Sequence, residues 1–289
     1  MPRAVDHLVI AARDLPEQAA LYRRLGFQVG ARNRHPWGTE NHIVQFPHAF
    51  LELIGLGDEF AAPHPSEAVY PFAGFLAYYL GRREGLAMMV MRSTDADADQ
   101  RAFAAAGIGG LARFDFARKG RRPDGREVEV AFSLAFAATE AMPEAGFFVC
   151  QQRFPENFWS SAAQIHPNGA LGVAGLTLVH EEPETVGGFL SAFLGAAARP
   201  AAEGLEFAID GGAVECLTSS GFAARYGAAP SGAGLAAARI AVADRAACGR
   251  LLAENRVPTR DHGGMTIVDA ATNLGLLLAF VGQPSDRSR

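Results

Sequence analysis

The sequence predicts an α+β fold made of four strand-helix-strand-strand-strand units, paired into two domains. The chain has 289 residues, which favours two domains because a domain usually has ~100–200 residues. A strand, a capped helix and further strands recur four times, and such repetition is the first feature to test in any sequence. Hydrophobic residues make up 49% and charged residues 20% of the chain, as is typical of globular proteins.

The first unit begins with a strand and a helix. Residues 5–10 alternate in the period of a strand. Asp14 then predicts a helix cap, apolar positions at helical spacing follow it, and Gly26 ends the helix. Three short strands are expected at residues 27–31, 41–46 and 50–54. Only Pro47 and His48 clearly separate the last two, so they form an antiparallel hairpin.

The same order returns at residues 86–91, 173–179 and 235–242, each followed by a helical stretch. Asp95 and Asp244 precede two of these helices as predicted caps. Further strands are expected at 127–136, 147–151, 206–209, 213–217, 265–268 and 274–281. Pairing the units gives an N-terminal domain of residues 1–166 and a C-terminal domain of residues 167–289, whose polar tail, residues 283–289, is expected to fray.

Residues 57–83 interrupt this rhythm with a dense set of aromatic residues and prolines. Two interpretations stay open for this segment. It is either a loop with a short helix packed over the first sheet, or a lid over a pocket.

Charge and composition exclude several partners. The net charge is −5, and the one dense basic run, residues 118–126, is diluted by Gly, Pro and Asp. It is interpreted as a solvated hairpin tip, so no nucleic acid partner is expected.

No apolar run approaches the roughly 20 residues that span a bilayer, and the first residues do not have the pattern of a signal peptide. Three cysteines without a C-x-x-C motif favour a reducing compartment, so a cytoplasmic location is expected.

Motifs of other enzyme classes do not occur. The chain has no G-x-S-x-G elbow, no phosphate-binding loop and no dinucleotide fingerprint, so no nucleotide cofactor is expected.

Several motifs resemble one protein family. They are VDHLVI at residues 5–10, LGF at 25–27, HPWGTEN at 35–41, FLELI at 50–54 and QIHPNGA at 164–170. Together with paired βαβββ units, they are similar to the vicinal oxygen chelate superfamily, in its bacterial glyoxalase-like branch. This resemblance to glyoxalases, bleomycin resistance proteins and extradiol dioxygenases implies curved mixed sheets that enclose a small-molecule site.

The resemblance also implies a metal site. By position, His7 and Glu52 are the ligands to carry over, and Glu52 is the candidate catalytic residue, as ligand or general base. Imidazole and carboxylate suit one divalent ion such as zinc, manganese, nickel or iron. The alternative is that the two side chains simply hydrogen-bond, because a buried carboxylate without a partner would cost several kcal/mol.

The second unit departs from the family pattern. Met88 occupies the position of the partner histidine, and the fourth strand of this unit offers Cys150, Gln151 and Gln152 instead of a carboxylate. A complete four-ligand set is therefore not visible in the sequence.

Candidate substrate-binding residues lie near these positions. His42 either lines the pocket beside Glu52 or belongs to a partly wet strand edge. Residues 151–159 combine polar and aromatic side chains, which suits a polar ligand with an apolar face; the candidates there are Gln152, Arg153, Phe158 and Trp159. Alternatively, Phe158 and Trp159 anchor a connector between the domains. His35 precedes a proline in a turn and is interpreted as structural.

The C-terminal domain is expected to be degenerate as a metal site. Its inward positions are predicted to be Leu176, Ala237 and Leu277, which would fill a concavity with apolar side chains. Glu215 is the exception, and it needs a partner such as Arg239 or solvent. The ligand site is therefore expected in the N-terminal domain.

Two functions remain open at this stage. The first is a metal-dependent enzyme with lyase, isomerase or dioxygenase chemistry. The second is a metal-free protein of the same fold that sequesters a small molecule, as resistance proteins do. Pairing of the chain with a second copy also stays open.

Overall fold

A computed structural model of the chain describes residues 1–58, 60, 72–109, 111–121 and 126–282. The predicted frayed tail and the first part of the aromatic segment, residues 61–71, lie outside the described residues. Among the described residues, no helix is long and apolar enough to cross a membrane.

The described residues of the first half form eight strands and three helices before a short fourth helix. They are β1 (Val5–Ala11), α1 (Leu15–Arg24), β2 (Asn33–Arg34), β3 (Thr39–Gln45), β4 (Phe50–Leu56), α2 (Phe72–Leu80), β5 (Gly85–Arg92), α3 (Ala96–Ala105), β6 (Phe114–Arg121), β7 (Glu127–Ala137) and β8 (Gly146–Gln152). A short helix α4 (Pro155–Phe158) and a 3-10 turn (Ser161–Gln164) lead to the second half.

The second half repeats the arrangement. Its elements are β9 (Ala170–Val179), α5 (Pro183–Leu194), β10 (Ala198–Ala201), β11 (Gly204–Ile209), β12 (Gly212–Leu217), α6 (Ser219–Tyr226), β13 (Gly234–Val242), α7 (Arg245–Glu254), β14 (Arg260–His262), β15 (Met265–Val268) and β16 (Leu277–Gly282).

Each half forms one mixed eight-stranded sheet. The order is β2-β3-β4-β1-β5-β8-β7-β6 in the first half and β10-β11-β12-β9-β13-β16-β15-β14 in the second. The first strands of two units, β1 and β5, run antiparallel at the centre, and each pairs in parallel with the last strand of its own unit. This confirms the predicted α+β fold of paired βαβββ units.

Strand alternation sorts the side chains of β1 between two faces. Leu8 and Ile10 join the core beneath the helices, whereas Val9 and Ala11 belong to a separate cluster on the concave face. His7 also faces the concavity. The concave face of the first sheet is therefore where polar side chains of β1 and β4 can meet.

The predicted caps hold three helices at their first turns. Asp14 accepts a hydrogen bond from the backbone N–H of Glu17, and Asp95 and Asp244 accept equivalent bonds three residues on. Each cap satisfies an N–H group that has no partner within its helix, an effect typically worth ~1 kcal/mol.

Residues 27–31 are not a strand, contrary to the sequence prediction. These residues form a single backbone-to-backbone hydrogen bond with β3, from the N–H of Gly30 to the carbonyl of Ile43. Phe27 is buried instead against the second half, where its ring stacks on Phe280 with centroids 6.0 Å apart. The apolar alternation reflects this packing, and the strand of the unit is the short β2.

The two halves share one continuous apolar core. A single cluster of buried side chains extends from β1 and α1 to α5, α7 and β16. Four phenylalanine pairs cross the junction among the described residues, namely Phe27 with Phe280, Phe103 with Phe193, Phe147 with Phe189, and Phe147 with Phe193. The backbones also approach closely, because a Cβ added to Gly275 would lie 2.3 Å from the carbonyl oxygen of Glu84.

The turn that carries the HPNG sequence fastens the junction by hydrogen bonds. His166 accepts from the N–H of Gln28 at 3.0 Å and lies 2.8 Å from the carbonyl oxygen of Gln45. Asn168 donates to the carbonyl of Leu25. The motif is thus the turn that connects the first half to β9.

The concavity of the second sheet is filled by the chain itself. Helix α6 places Phe222 and Tyr226 there, beside Ala237 and Leu277 as expected. The prediction that Leu176 faces inward is wrong, because Leu176 packs in the core beneath the helices. Its neighbour Thr177 faces the concavity.

A buried polar network lies in that concavity. Glu215 forms an ion pair with Arg239, as the sequence predicts, and accepts a hydrogen bond from Thr177 at 2.8 Å. Arg239 also donates to Thr177, to the hydroxyl of Tyr226 and to the carbonyl of Ala213, at 3.1, 3.0 and 3.0 Å. The two buried charges of this network, Glu215 and Arg239, are thus paired with each other.

Candidate functional site

A small cavity lies in the concavity of the first sheet. Its volume is about 50 Å³, counted over positions that the centre of a water molecule can take. Since one buried water needs roughly 10–15 Å³ on that measure, only a small ligand fits without rearrangement. Eight aromatic rings form most of the wall, namely Trp37, Phe50, Phe72, Phe114, Phe116, Phe132, Phe148 and Phe158.

Helix α2 covers this concavity through Phe72. Leu76, Tyr79 and Leu80 of the same helix join the apolar cluster on the concave face. The described part of the aromatic segment is therefore a helix packed over the first sheet that also forms part of the pocket wall.

His7 is held in one orientation by its neighbours. Its Nδ1 lies 2.6 Å from Oδ1 of Asp6, and its ring stacks on Phe50 with centroids 4.3 Å apart. The carboxylate of Asp6 accepts a hydrogen bond, so the geometry assigns the proton to Nδ1. The lone pair on Nε2 is thereby directed toward Glu52, whose Oε2 is 3.9 Å away.

Glu52 is buried and held by an amide. Asn41 donates a hydrogen bond to Oε1 of Glu52, and the Oδ1 of Asn41 in turn accepts from Asn33 at 3.2 Å. This second bond fixes which end of the Asn41 amide faces the carboxylate. Oε2 of Glu52, on the side of His7, accepts no hydrogen bond from the described residues.

His35 provides a second imidazole beside the same carboxylate. Its Nε2 lies 3.7 Å from Oε1 of Glu52, while its Nδ1 lies 2.9 Å from the hydroxyl of Thr39. Its ring stacks on Trp37 with centroids 4.7 Å apart. Burial lowers the pKa of His35, which favours the neutral form that can bind a metal.

Pairs of these donors are close enough to share a divalent ion. Metal bonds to nitrogen and oxygen are about 2.0–2.2 Å long, so two ligand atoms of one ion lie no more than ~4.3 Å apart. The separations of Glu52 from His7 and from His35 each fall within that limit, but they involve different oxygens of Glu52. The two histidines and Glu52 do not close around one point, because Asp6, His7 and Cys150 are the only three ligand residues among the described ones whose atoms all lie within 4.8 Å. Asp6 supports His7 from behind, as carboxylates commonly do for ligating histidines, and the pair of imidazole and carboxylate formed by His7 and Glu52 suits iron, zinc, manganese or nickel.

The second unit adds no ligand at the symmetric positions. In the first unit, His7 pairs with Phe50 and Val9 with Glu52. In the second, Met88 pairs with Gly146 and Val90 with Phe148. The counterpart of Glu52 is therefore Phe148, so none of Cys150, Gln151 and Gln152, which the sequence offered in place of a carboxylate, stands at the symmetric position.

Cys150 belongs to a different cluster, with Asp6 and His7. Their ligand atoms lie within 4.8 Å of one another, and all three residues are buried. Asp6 already accepts hydrogen bonds from His7 and Gln152, and burial raises the pKa of the Cys150 thiol well above its usual range. The carboxylate of Asp6 is thus engaged within this cluster, where it orients the imidazole of His7.

The predicted substrate-binding residues are not brought together. His42 lies outside the cavity, with its Nδ1 2.8 Å from the carbonyl oxygen of Gly30, because alternation along β3 turns Asn41 and Ile43 inward instead. Phe158 does line the cavity. Gln152 and Trp159 line a neighbouring groove, and exposed Arg153 donates to Ser133 at 2.8 Å.

The sequence analysis missed three polar residues of the cavity, His35, Asn41 and Arg118. The hairpin-tip interpretation is wrong for Arg118, which lies within β6 and points inward, as Phe114 and Phe116 do. The alternation of Phe114, Phe116 and Arg118 was the signal that could have revealed strand β6. Residues 122–125 lie outside the described residues.

A curved sheet of paired βαβββ units that holds histidine and carboxylate in its concavity defines a vicinal oxygen chelate protein. The chain belongs to the glyoxalase-like domain family, whose model matches residues 5–194. No curated protein sequence matches it.

Solved structures with little sequence identity share the fold. A hypothetical protein from Staphylococcus aureus has a TM-score of 0.67 at 9% identity, over 97% of this chain and 99% of the other. A mutant of 4-hydroxymandelate synthase from Streptomyces coelicolor has 0.62 at 12%, over 100% and 94%. A xylose isomerase-like TIM barrel/4-hydroxyphenylpyruvate dioxygenase fusion protein has 0.57 at 12%, over 100% and 50%.

Proposed function

We propose that this protein is a metal-dependent enzyme that acts on a small molecule in the cavity of its first half. The observation that carries the proposal is the approach of His7 Nε2 to Glu52 Oε2, with the far side of the imidazole tied to Asp6. His7 and Glu52 would hold the ion, with the remaining positions open. The bound ion would polarise vicinal oxygens of the substrate and stabilise an oxyanion.

The residues of the chain have separate tasks in this proposal. Asp6 orients the imidazole of His7 and fixes its tautomer. Asn41 holds the carboxylate of Glu52, which leaves Oε2 available as ligand or general base. The aromatic wall keeps water away and so strengthens the electrostatic interactions inside. Lyase, isomerase and dioxygenase chemistry all use these elements, and the name of one structural neighbour, a dioxygenase fusion protein, supports a dioxygenase reaction as the first to assay.

Metal analysis tests this proposal directly. The protein is purified without chelator, and its metal content is compared with those of His7→Ala, Glu52→Gln and His42→Ala. We expect one divalent ion in the unchanged protein and in His42→Ala, which is the matched control because His42 lies outside the cavity. We expect loss of the ion in the other two variants. Absence of any divalent ion after addition of iron, zinc, manganese and nickel would exclude the proposal.

A second function is favoured by one observation. Met88 and Phe148 stand at the symmetric positions where further ligands would be expected, so the site is built from one unit only. A metal-free binding protein would use the same cavity to sequester its ligand. A thermal-shift screen separates the two, since a ligand at a hundred times its Kd stabilises by roughly 2.7 kcal/mol. Stabilisation by organic compounds and by no metal would select this function.

A further inference from the structure

The cavity contains one side chain with a fixed positive charge among the described residues that line it, Arg118. Strand β6 forms the edge of the first sheet, and alternation along it points Phe114, Phe116 and Arg118 toward the concavity. The guanidinium therefore reaches the cavity from the side opposite to β3, through the same strand that supplies two of its aromatic rings.

Arg118 has no hydrogen bond or ion pair with any described residue. Burial lowers the pKa of Arg118, and the charge of Glu52 opposes that effect, so the guanidinium is partly removed from water while it faces the cavity. Arginine keeps its proton in proteins. A cation in this position lacks the hydrogen-bond acceptors that normally accompany a buried charge.

Neighbouring cations do not share this situation. Lys119 is exposed and lies 3.8 Å from Glu127, Arg153 donates to Ser133, and Arg113 pairs with Asp97 and Asp115. Among these four cations, Arg118 is the one without a hydrogen-bond or ion-pair partner in the described part of the chain, and it is the one that lines the cavity.

We infer that the ligand of this cavity is a small aromatic carboxylate whose carboxylate group is bound by Arg118. The planar fork of a guanidinium matches a carboxylate through two parallel hydrogen bonds. The aromatic wall fits a ring, because aromatic side chains pack edge-on or offset against one another. The small cavity and its largely apolar wall exclude long or multiply charged ligands.

The inference rests on the proposed function for one point, the orientation of the ligand. With its carboxylate at Arg118, the ring lies among the phenylalanines, and the remaining functional groups of the ligand face His7 and Glu52. Recognition of the anion itself needs only Arg118 and the aromatic wall, so it can be measured without metal or turnover.

Calorimetric titration of the full chain tests the inference with defined probes. Benzoate supplies ring and charge, benzamide supplies the ring alone, and acetate and inorganic phosphate supply charge alone. We expect benzoate to bind more tightly than the other three. We expect Arg118→Met to weaken benzoate by roughly 10- to 100-fold, the change that corresponds to the loss of a charge-assisted hydrogen bond, and to leave benzamide unchanged.

Two further variants separate charge from fold. Lys119→Met removes the neighbouring exposed charge of the same strand and should leave benzoate binding unchanged. Arg118→Lys keeps the charge without the planar fork and should bind benzoate between the unchanged protein and Arg118→Met. The melting temperature of each variant shows whether β6 remains folded.

Several results would overturn the inference. They are no detectable benzoate binding, equal binding of benzoate and benzamide, phosphate or acetate binding as tightly as benzoate, and an Arg118→Met variant that binds benzoate normally. The titrations are repeated on chelator-treated protein and on His7→Ala. Benzoate selectivity that persists there supports the inference. If the unchanged protein, in addition, binds no divalent ion, the inference stands and the metal-dependent function fails. A normal metal site without benzoate selectivity would do the reverse.

Discussion

Replacing Glu215 with Gln should destabilise the protein more than any conservative change on its surface. The substitution keeps the shape of the side chain and removes the charge that faces Arg239, which is only 5% exposed. Arg239 then retains only neutral acceptors, on Thr177, Tyr226 and Ala213. Removing one partner of a buried ion pair typically costs about 3–5 kcal/mol, so we expect a loss in that range from the free energy of unfolding.

Arg239→Met should cost less, about 1.5–3 kcal/mol, the range for lost hydrogen bonds to a charged group. Glu215 keeps the hydroxyl of Thr177 and lies 3.3 Å from Nε of Arg225, which is 41% exposed and well hydrated. The double variant should be destabilised by clearly less than the sum of the two losses, because each single change already breaks the same pair.

Urea unfolding followed by far-UV circular dichroism measures all three free energies. A loss under about 1 kcal/mol in Glu215→Gln would refute the reasoning, since the lower bound for a broken buried pair is several times larger. Strict additivity in the double variant would refute it as well. Both single variants should still bind benzoate when folded. Loss of binding in Glu215→Gln, with Glu52→Gln unaffected, would mean that the ligand site lies in the second half.

Three further predictions concern the junction, His7 and pH. Gly275→Ala should lower the melting temperature more than Gly264→Ala, because both glycines have positive φ but only the first would meet a backbone carbonyl; equal shifts would argue against close backbone contact. Asp6→Asn should weaken metal binding by about 10–100-fold in a competitive titration, and unchanged affinity would show that this carboxylate does not support His7. Burial lowers the pKa of His166. Below about pH 6.5 the unfolded chain therefore binds more protons than the folded protein. The free energy of unfolding should fall as the pH decreases from there toward the pKa of the folded state, by at most about 1.4 kcal/mol per pH unit. Urea midpoints at about pH 7.5 and 5.5 should show a smaller pH effect in His166→Gln, and an identical effect would contradict this assignment.

Local patterns in the sequence were sufficient for most of the elements and for two site residues. Asp14, Asp95 and Asp244 mark helix starts through a chemistry that needs no distant contact, and the structure has helices there. His7 and Glu52 could be placed on one face because their strands are neighbours in the resembled fold. The cost of burying a charge indicated that Glu215 needs a partner such as Arg239 or solvent, and the structure has Arg239 there.

The remaining site residues depend on register, which the sequence does not fix. A shift of one residue turns a side chain to the other face of a sheet, and this separates His42 from Asn41 and Leu176 from Thr177. Arg118 was hidden by its neighbours, because the basic composition of residues 118–126 suggests solvent exposure while the alternation from Phe114 onward indicates a strand. His35 lies before a proline, and only the folding of the β2–β3 hairpin brings it to Glu52.

The apolar core that runs through both halves makes the molecule one cooperative unit. Opening either half would expose the phenylalanines of the other, so the free energy for local opening at the junction approaches that of global unfolding. Both tryptophans, Trp37 and Trp159, lie in the first half, and their fluorescence should therefore report the unfolding of the second. The concavity of the second half is closed by its own side chains. The second half therefore contributes to ligand binding through stability, because it sets the fraction of molecules in which the cavity of the first half is folded.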